Sequence, residues 1–308
     1  MLTRGSTGGR REFSARLPCV SEIRGVITAL ATAFRPDGEL DIESTRKLAA
    51  YLVENGSHGL VVAGSTGESS TLEDDEKIDL TRAVIDEVGP DVTVIVGSGS
   101  NDTRHSVKLT AMAAEAGADA ALIVTPYYVR PNQEGIRRHF EAVAEGNPGF
   151  PLVAYNIPGR TGINMPPDFL AELAQIDEVK AVKQANPDDL GPIEGLDVLA
   201  GDDTSFLPTL KFGGAGGILV ASHLDNGRMR TIWDLWQEGR HDEAEALDNQ
   251  LKPLYESIGV VVNPIPIKAA LAARGLIPPT MRLPLVEPTQ KEMDAIEELL
   301  AEAGVPAA

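Results

Sequence analysis

The sequence is poor in cysteine, in basic residues and in long apolar runs. Cys19 is the only cysteine among the 308 residues, so no disulfide can form within the chain; this is typical of a reducing compartment and predicts a cytoplasmic protein. There are 27 Lys and Arg against 46 Asp and Glu, a formal charge of −19. Because no basic run offsets this charge, we expect neither nucleic acid nor an anionic membrane surface as a partner. No stretch approaches the roughly 20 apolar residues of a membrane-spanning helix.

Patterns for metal and dinucleotide binding are also missing. No two histidines have the short spacing that is usual for paired metal ligands. The segment GSGSN at 97–101 follows a predicted strand but lacks the third glycine of a dinucleotide-binding loop. The sequence therefore predicts neither a metal site nor an organic cofactor. The histidines are His58, His105, His139, His223 and His241.

Short β-branched runs alternate with longer segments of helical period from residue 23 onward, the pattern of parallel βα units. About eight such runs occur, which is the number of strands that closes a (β/α)8 TIM barrel. An open doubly wound sheet is the alternative, but with so many strands it would be unusually wide. The predicted strands are 25–31, 59–64, 92–97, 120–125, 151–156, 179–184, 196–201 and 216–221.

The two ends of the chain differ from this pattern. Residues 1–22 are rich in Arg, Gly and Ser and lack the apolar core of a secretory signal, so we expect a flexible N-terminal extension. The barrel is predicted over 23–226. Strand patterns then stop while helical ones continue, which predicts a C-terminal helical region over 227–308. No linker or repeat separates the last two parts.

Polar residues at the predicted strand ends are the candidates for chemistry, since barrel enzymes carry their reactive groups there. After the second strand, Ser65 and Thr66 lie in a glycine turn that suits an anion, or that only begins a helix. Tyr128 follows the fourth strand, where it could instead pack at the rim or at a subunit contact, and Tyr155 ends the fifth. Arg160 suits bidentate binding of a carboxylate, or an ion pair with a surface acid.

Lys183 ends the sixth predicted strand on the face opposite to Lys180. If that face is the barrel interior, partial desolvation favours the neutral amine, which can attack a carbonyl and form a Schiff base. A lysine that merely reaches water is the alternative. We favour the reactive lysine because a phenol, an arginine and a hydroxyl turn are predicted at the same end of the barrel.

The segments GSTGES, TPYY, YNIPGRT, AGDD, NPIPIK and RLPL, together with the strand-end lysine, occur in order over residues 25–303. In this the sequence resembles the family of Schiff-base pyruvate aldolases that contains the dihydrodipicolinate synthases and the N-acetylneuraminate lyases. The resemblance implies a barrel with a helical appendage, usually a homotetramer built as a dimer of dimers. Among the members it favours the synthases, which condense pyruvate with aspartate 4-semialdehyde to 4-hydroxy-tetrahydrodipicolinate in lysine biosynthesis.

The resemblance also implies roles for individual residues. Lys183 would form the imine with pyruvate, and Tyr155 would be the general acid and base. Ser65 and Tyr128 would complete a hydroxyl relay, with Tyr128 reaching in from a neighbouring subunit. Thr66 would bind the pyruvate carboxylate, and Arg160 would bind the carboxylate of the aldehyde. Gly201 and Ile218 would line the pocket through their backbone groups.

Two alternatives remain open at this point. One is a family member that acts on a 2-keto-3-deoxy sugar acid or a sialic acid; Ser65 points that way, since the synthases usually have threonine there. Arg160 and NPIPIK point to the synthases. The other alternative is a barrel that binds a keto acid without catalysis.

Feedback inhibition by lysine is expected to be weak or absent. In inhibited synthases the interface site uses histidines and a glutamate at positions that are Asp74, Lys77 and His105 in this sequence. The ammonium of Lys77 would repel the ammonium of the inhibitor.

Overall fold

The computed structural model describes residues 23–305, so the predicted N-terminal extension 1–22 and Cys19 lie outside the described residues. Within this range eight parallel strands pair in chain order and the eighth closes on the first. The predicted (β/α)8 TIM barrel is therefore confirmed, and each predicted strand is present. The strands are β1 Gly25–Ala29, β2 Gly59–Val62, β3 Thr93–Gly97, β4 Ala120–Val124, β5 Leu152–Asn156, β6 Val179–Gln184, β7 Asp197–Ala200 and β8 Gly216–Leu219.

Eleven α-helices in residues 23–305 surround and extend the barrel. Seven lie between consecutive strands or in their loops, and four follow β8, so the predicted C-terminal helical extension is also confirmed. The helices are α1 Ile42–Glu54, α2 Asp74–Val88, α3 Thr103–Glu115, α4 Gln133–Gly146, α5 Pro158–Thr161, α6 Pro167–Leu173, α7 Phe206–Lys211, α8 Ser222–Gln237, α9 His241–Ile258, α10 Ile265–Ala273 and α11 Gln290–Glu302.

Helix ends follow local side-chain chemistry. Asp41 accepts a hydrogen bond from the Ser44 amide at the start of α1, and Asp102 accepts one from the Arg104 amide at the start of α3. Gly117, two residues beyond α3, adopts a φ of 93°, which allows the chain to turn back towards β4. These caps fix the lengths of the helices and hence the positions of the loops at both ends of the barrel.

The strands are buried on both faces because the helices cover one side and the barrel interior fills the other. The interior is packed with apolar side chains, among them Ile27, Val61, Ile95, Val153 and Leu199. Such a packed interior makes the barrel a core and not a pore, so a ligand has access only at the loop ends.

The predicted boundary at 226 falls within α8, one residue after Asp225, where the backbone leaves helical geometry. Buried side chains of α8, α9 and α10 belong to the same apolar cluster as the first strands of the barrel. The division of the chain into 23–226 and 227–308 remains a prediction.

A buried ion pair fastens the C-terminal region to the loop after β2. The Nζ of Lys268, in α10, donates to Oε1 of Glu68, and both side chains are fully buried. Glu68 also accepts a hydrogen bond from the Arg282 amide through Oε2. Burial lowers the pKa of Lys268, which is opposed by the neighbouring carboxylate of Glu68.

Removing one partner of this pair is expected to be costly, since the other charge would be left buried. For Lys268→Met we expect the free energy of unfolding to fall by about 3–5 kcal/mol. Lys47→Met is the matched control, because Lys47 pairs with Glu43 on the exposed face of α1 and should cost less than about 1 kcal/mol. Urea unfolding at a fixed protein concentration measures both, and equal losses for the two variants would contradict the prediction.

Candidate active site

A cavity of about 680 Å³ opens at the carboxyl ends of the strands. Three of the residues predicted from the sequence, Ser65, Tyr155 and Arg160, line its wall. Tyr127 and Asn263, to which the sequence analysis gave no role, line it as well. The position agrees with the rule that barrel enzymes place their reactive groups at this end.

Lys183 and Tyr155 face each other in the barrel interior. They are paired in the register of β5 and β6, and Lys183 Nζ lies 4.5 Å from the centroid of the Tyr155 ring. Both side chains are nearly buried, with 6% and 5% of their surface exposed. Tyr155 lines the cavity, whereas Lys183 does not line it and lies behind the Tyr155 ring that its amine contacts.

The loops after β2 and β4 hold the only non-glycine residues with positive φ in residues 23–305. Ala63 and Glu68 flank the Gly-Ser-Thr turn, with φ of 53° and 54°. Tyr128 and Arg130 follow β4, with φ of 69° and 48°. Such conformations are unfavourable for residues with a Cβ, and they concentrate at functional sites.

The turn after β2 carries two hydroxyls, of which only that of Ser65 lies in the cavity wall. Ser65 is half-buried in the cavity wall, whereas Thr66 is only 2% exposed. Thr66 Oγ1 accepts a hydrogen bond from Asn263 Nδ2 at 3.0 Å. The Gly67 carbonyl accepts one from Thr32 Oγ1 at 2.7 Å, which ties the turn to the segment after β1.

Arg160 lies at the mouth of the cavity. Its side chain is exposed, and its Nη2 donates a hydrogen bond to the backbone carbonyl of Asn263 at 2.8 Å. This contact leaves other N–H groups of the guanidinium available for a carboxylate.

The remaining predicted residues, Tyr128, Ile218 and Gly201, do not line the cavity. Tyr128 is 87% exposed and does not line the cavity of its own chain. Ile218 is fully buried in β8 and belongs to the interior cluster of Tyr155. At Gly201 a Cβ would lie 2.6 Å from the Gln184 carbonyl oxygen, so the backbone approach requires glycine.

Asp203 is a buried acid near Lys183 that belongs to the AGDD motif but has no predicted role. Its Oδ1 accepts hydrogen bonds from the amides of Val220 and Ala221, at 3.0 and 2.9 Å. Burial raises the pKa of Asp203 to about 6, while these two amides and the ammonium of Lys183 oppose the rise. The carboxylate thereby fixes the end of β8.

The far side of the cavity contains the residues at the predicted lysine-inhibition positions. His105 Nε2 lies 2.8 Å from Asp74 Oδ1, and Lys77 Nζ lies 4.0 Å from the same oxygen. Burial lowers the pKa of Lys77, which the carboxylate of Asp74 opposes. Lys108 Nζ lies 3.6 Å from the other oxygen, Oδ2, so Asp74 is already engaged by three side chains of its own chain.

We therefore expect weak or no inhibition of this protein by lysine. Lys77 presents a cation where an inhibitor ammonium would have to bind, and the two cations repel each other. A steady-state assay at saturating substrates should show less than half inhibition at about 1 mM lysine, the upper end of the usual range of KM values. Inhibition well below that concentration would contradict the prediction. Lys77→Glu should increase any response to lysine.

Residues 23–305 lack two further kinds of feature. These residues contain no group of three or more His, Cys, Asp or Glu side chains that could hold a metal ion. None of the helices in the same range is long and apolar enough to cross a membrane.

Fold and site together define a (β/α)8-barrel protein that carries a buried lysine–tyrosine pair at the carboxyl end of its strands. Residues 22–303 match the model of the dihydrodipicolinate synthetase family, and the chain belongs to that family. The 4-hydroxy-tetrahydrodipicolinate synthase of Cyanothece sp. is 42% identical over 282 residues, which cover 89% of this chain and 96% of that protein.

Solved structures give the same result. The synthase from Cyanidioschyzon merolae with lysine bound superposes with a TM-score of 0.88 and 38% identity, over 92% of this chain and 99% of that one. The chloride-inhibited synthase from Acinetobacter baumannii, complexed with pyruvate, has a TM-score of 0.88 and 34% identity, over 92% of this chain and 100% of that one. The family predicted from the sequence motifs is confirmed, and so is the predicted enzyme class, a lyase of this family.

Proposed function

We propose that this protein condenses pyruvate with aspartate 4-semialdehyde to give 4-hydroxy-tetrahydrodipicolinate, through a Schiff base on Lys183. The observation that carries the proposal is the contact of Lys183 with the Tyr155 ring, in the interior of a barrel of this family. The names of its relatives support the same substrates. The reaction needs no metal or organic cofactor in this scheme, since the amine supplies the electrophilic activation.

The chemistry begins when the neutral amine of Lys183 attacks the ketone of pyruvate. The carbinolamine loses water, and the resulting iminium draws electrons from the adjacent methyl group, which then gives up a proton to form an enamine. The enamine carbon attacks the aldehyde, and the new alkoxide takes up a proton. The amino group of the second substrate displaces Lys183 from the imine carbon, which closes the ring and frees the enzyme.

Tyr155 would transfer these protons; the role is supported by its place in the cavity wall and by the contact of its ring with the amine. Ser65 lines the same cavity and would relay protons with Tyr155. Tyr128 would complete the relay from a neighbouring subunit; its exposure on its own chain is compatible with that role. Gly201 and Ile218 would shape the pocket through their backbone groups.

Two groups would hold the substrate carboxylates. Thr66 and its backbone amide, in the turn after β2, would bind that of pyruvate. Arg160 at the mouth would bind that of the aldehyde, and a planar guanidinium suits this because it can donate two parallel hydrogen bonds. A sugar aldehyde, which has hydroxyls instead of a carboxylate, would not use this arginine.

Comparison of aldehyde substrates tests the proposal. With pyruvate present, we expect turnover of aspartate 4-semialdehyde and little or none of sugar aldehydes such as N-acetylmannosamine. The reverse preference would support the sugar-acid alternative. Pyruvate binding without imine or product would support the non-catalytic alternative.

We also propose a homotetramer, a dimer of dimers, in the cytoplasm. Several large apolar side chains are exposed on the single chain, and two of them, Tyr128 and Val129, adjoin each other after β4. A subunit contact there would bury this surface and bring Tyr128 towards a second active site. Sedimentation velocity should give the tetramer mass; a monomer with full activity would contradict the role of Tyr128.

A further inference from the structure

Asn263 joins the two groups to which we assign the substrate carboxylates. It lies between α9 and α10, 197 residues from Thr66 in sequence, and lines the cavity. Its side chain donates to Thr66 Oγ1, and its backbone carbonyl accepts from Arg160 Nη2. One residue of the C-terminal region thus contacts both anion-binding groups of the barrel.

The hydrogen bond from Asn263 determines where the Thr66 hydroxyl hydrogen points. A hydroxyl has one hydrogen to donate, and its oxygen can accept. Because Asn263 Nδ2 donates to the oxygen at 3.0 Å, the hydrogen must point away from Asn263. Within residues 23–305, Thr66 Oγ1 donates to no other group, so its hydrogen is available to a ligand that reaches this turn.

The side-chain oxygen of Asn263 argues against a purely structural role for this residue. Asn263 Oδ1 is buried and accepts no hydrogen bond from any residue in the described part of the chain. A buried acceptor without a partner is unfavourable, so an apolar residue of the same size would pack there at lower cost. The amide is therefore better explained by what it donates than by how it packs.

We propose that Asn263 is a positioning residue for pyruvate. Its amide directs the Thr66 hydroxyl hydrogen towards the pyruvate carboxylate, while its backbone carbonyl holds Arg160 at the mouth of the same cavity. The inference rests on the proposed function, since it assumes that Thr66 binds a carboxylate. It is specific to the first half of the reaction and can be tested without the aldehyde.

Borohydride trapping over a range of pyruvate concentrations is the test. For Asn263→Leu, which removes the donor without adding charge, we expect the half-saturating pyruvate concentration to rise about tenfold, the effect of one hydrogen bond to a charged group. The maximum extent of trapping should change little. Asn55→Leu, at an exposed asparagine after α1, is the control and should behave as the wild type.

Repeating the measurement in a Thr66→Val variant shows whether Asn263 acts through the Thr66 hydroxyl or whether its loss disturbs the site in general. In Thr66→Val the hydroxyl is gone, so adding Asn263→Leu should raise the half-saturating concentration no further. The same tenfold rise in both backgrounds would overturn the inference, and so would wild-type behaviour of the single variant. No trapping in the wild type would instead overturn the proposed function.

A further variant keeps the test decisive if Asn263→Leu does not fold, as judged by near-ultraviolet circular dichroism. Asn263→Asp has nearly the same shape but offers an acceptor in place of the donor, so the Thr66 hydrogen would turn towards it. We expect Asn263→Asp to raise the half-saturating pyruvate concentration more than tenfold. The rise should be smaller when Asn263→Asp is added to Thr66→Val. An unchanged half-saturating concentration would again overturn the inference.

Discussion

Lys183→Ala is expected to abolish the covalent adduct between the protein and pyruvate. In the wild type, borohydride should reduce the imine and add the mass of the reduced pyruvyl group to the peptide that contains Lys183. The variant has no amine in the barrel interior, so this adduct cannot form. We expect turnover to fall by at least about 10³-fold, because a covalent catalyst is lost and only binding and the remaining groups contribute.

Lys180→Ala is the matched control for this experiment. Lys180 lies on the same strand, β6, three residues earlier, and its side chain is exposed on the outer face. A lysine there reacts with pyruvate no better than any surface lysine. Equal trapping in Lys183→Ala and Lys180→Ala would show that the adduct forms elsewhere and would contradict the proposed mechanism.

The barrel and the position of Lys183 could be predicted from the sequence because they depend on local periodicity. Alternation from Ala181, an interior residue, sets Lys183 on the interior face of β6, although the pairing register shifts at Lys180; eight buried runs give the strand number. The motif segments then place the polar residues at one end of the barrel. These are properties of short stretches, which neighbours elsewhere in the chain alter little.

The contacts made across long sequence separations could not be predicted in this way. Asn263 contacts Thr66 because α8 and α9 pack against the barrel and bring the following loop to the turn after β2. No spacing in the sequence specifies this packing. Asp203 belongs to a sequence motif, but its burial against the amides after β8 depends on how two strands pack. Tyr128 shows a third limit, since a residue that would act in another subunit is exposed in its own.

Tyr155→Phe should retain the imine and slow the proton transfers. The ring would still pack beside Lys183 in the interior cluster, so pyruvate can bind and borohydride can trap it. The phenolic hydroxyl is lost, and we expect turnover to fall by about 10²–10⁴-fold, the usual contribution of a general acid and base. Loss of trapping together with turnover would mean that Tyr155 mainly holds the lysine in place.

Exchange of the pyruvate methyl protons in D2O, followed by NMR without the aldehyde, isolates the step that we assign to Tyr155. The wild type should exchange these protons as the iminium and enamine interconvert, and Tyr155→Phe should exchange them far more slowly at equal imine occupancy. Tyr51→Phe, in α1, is the control, since it removes a phenol that does not line the cavity. Undiminished exchange in Tyr155→Phe would transfer the role to another group in the cavity, and Ser65 would be the next hydroxyl to substitute.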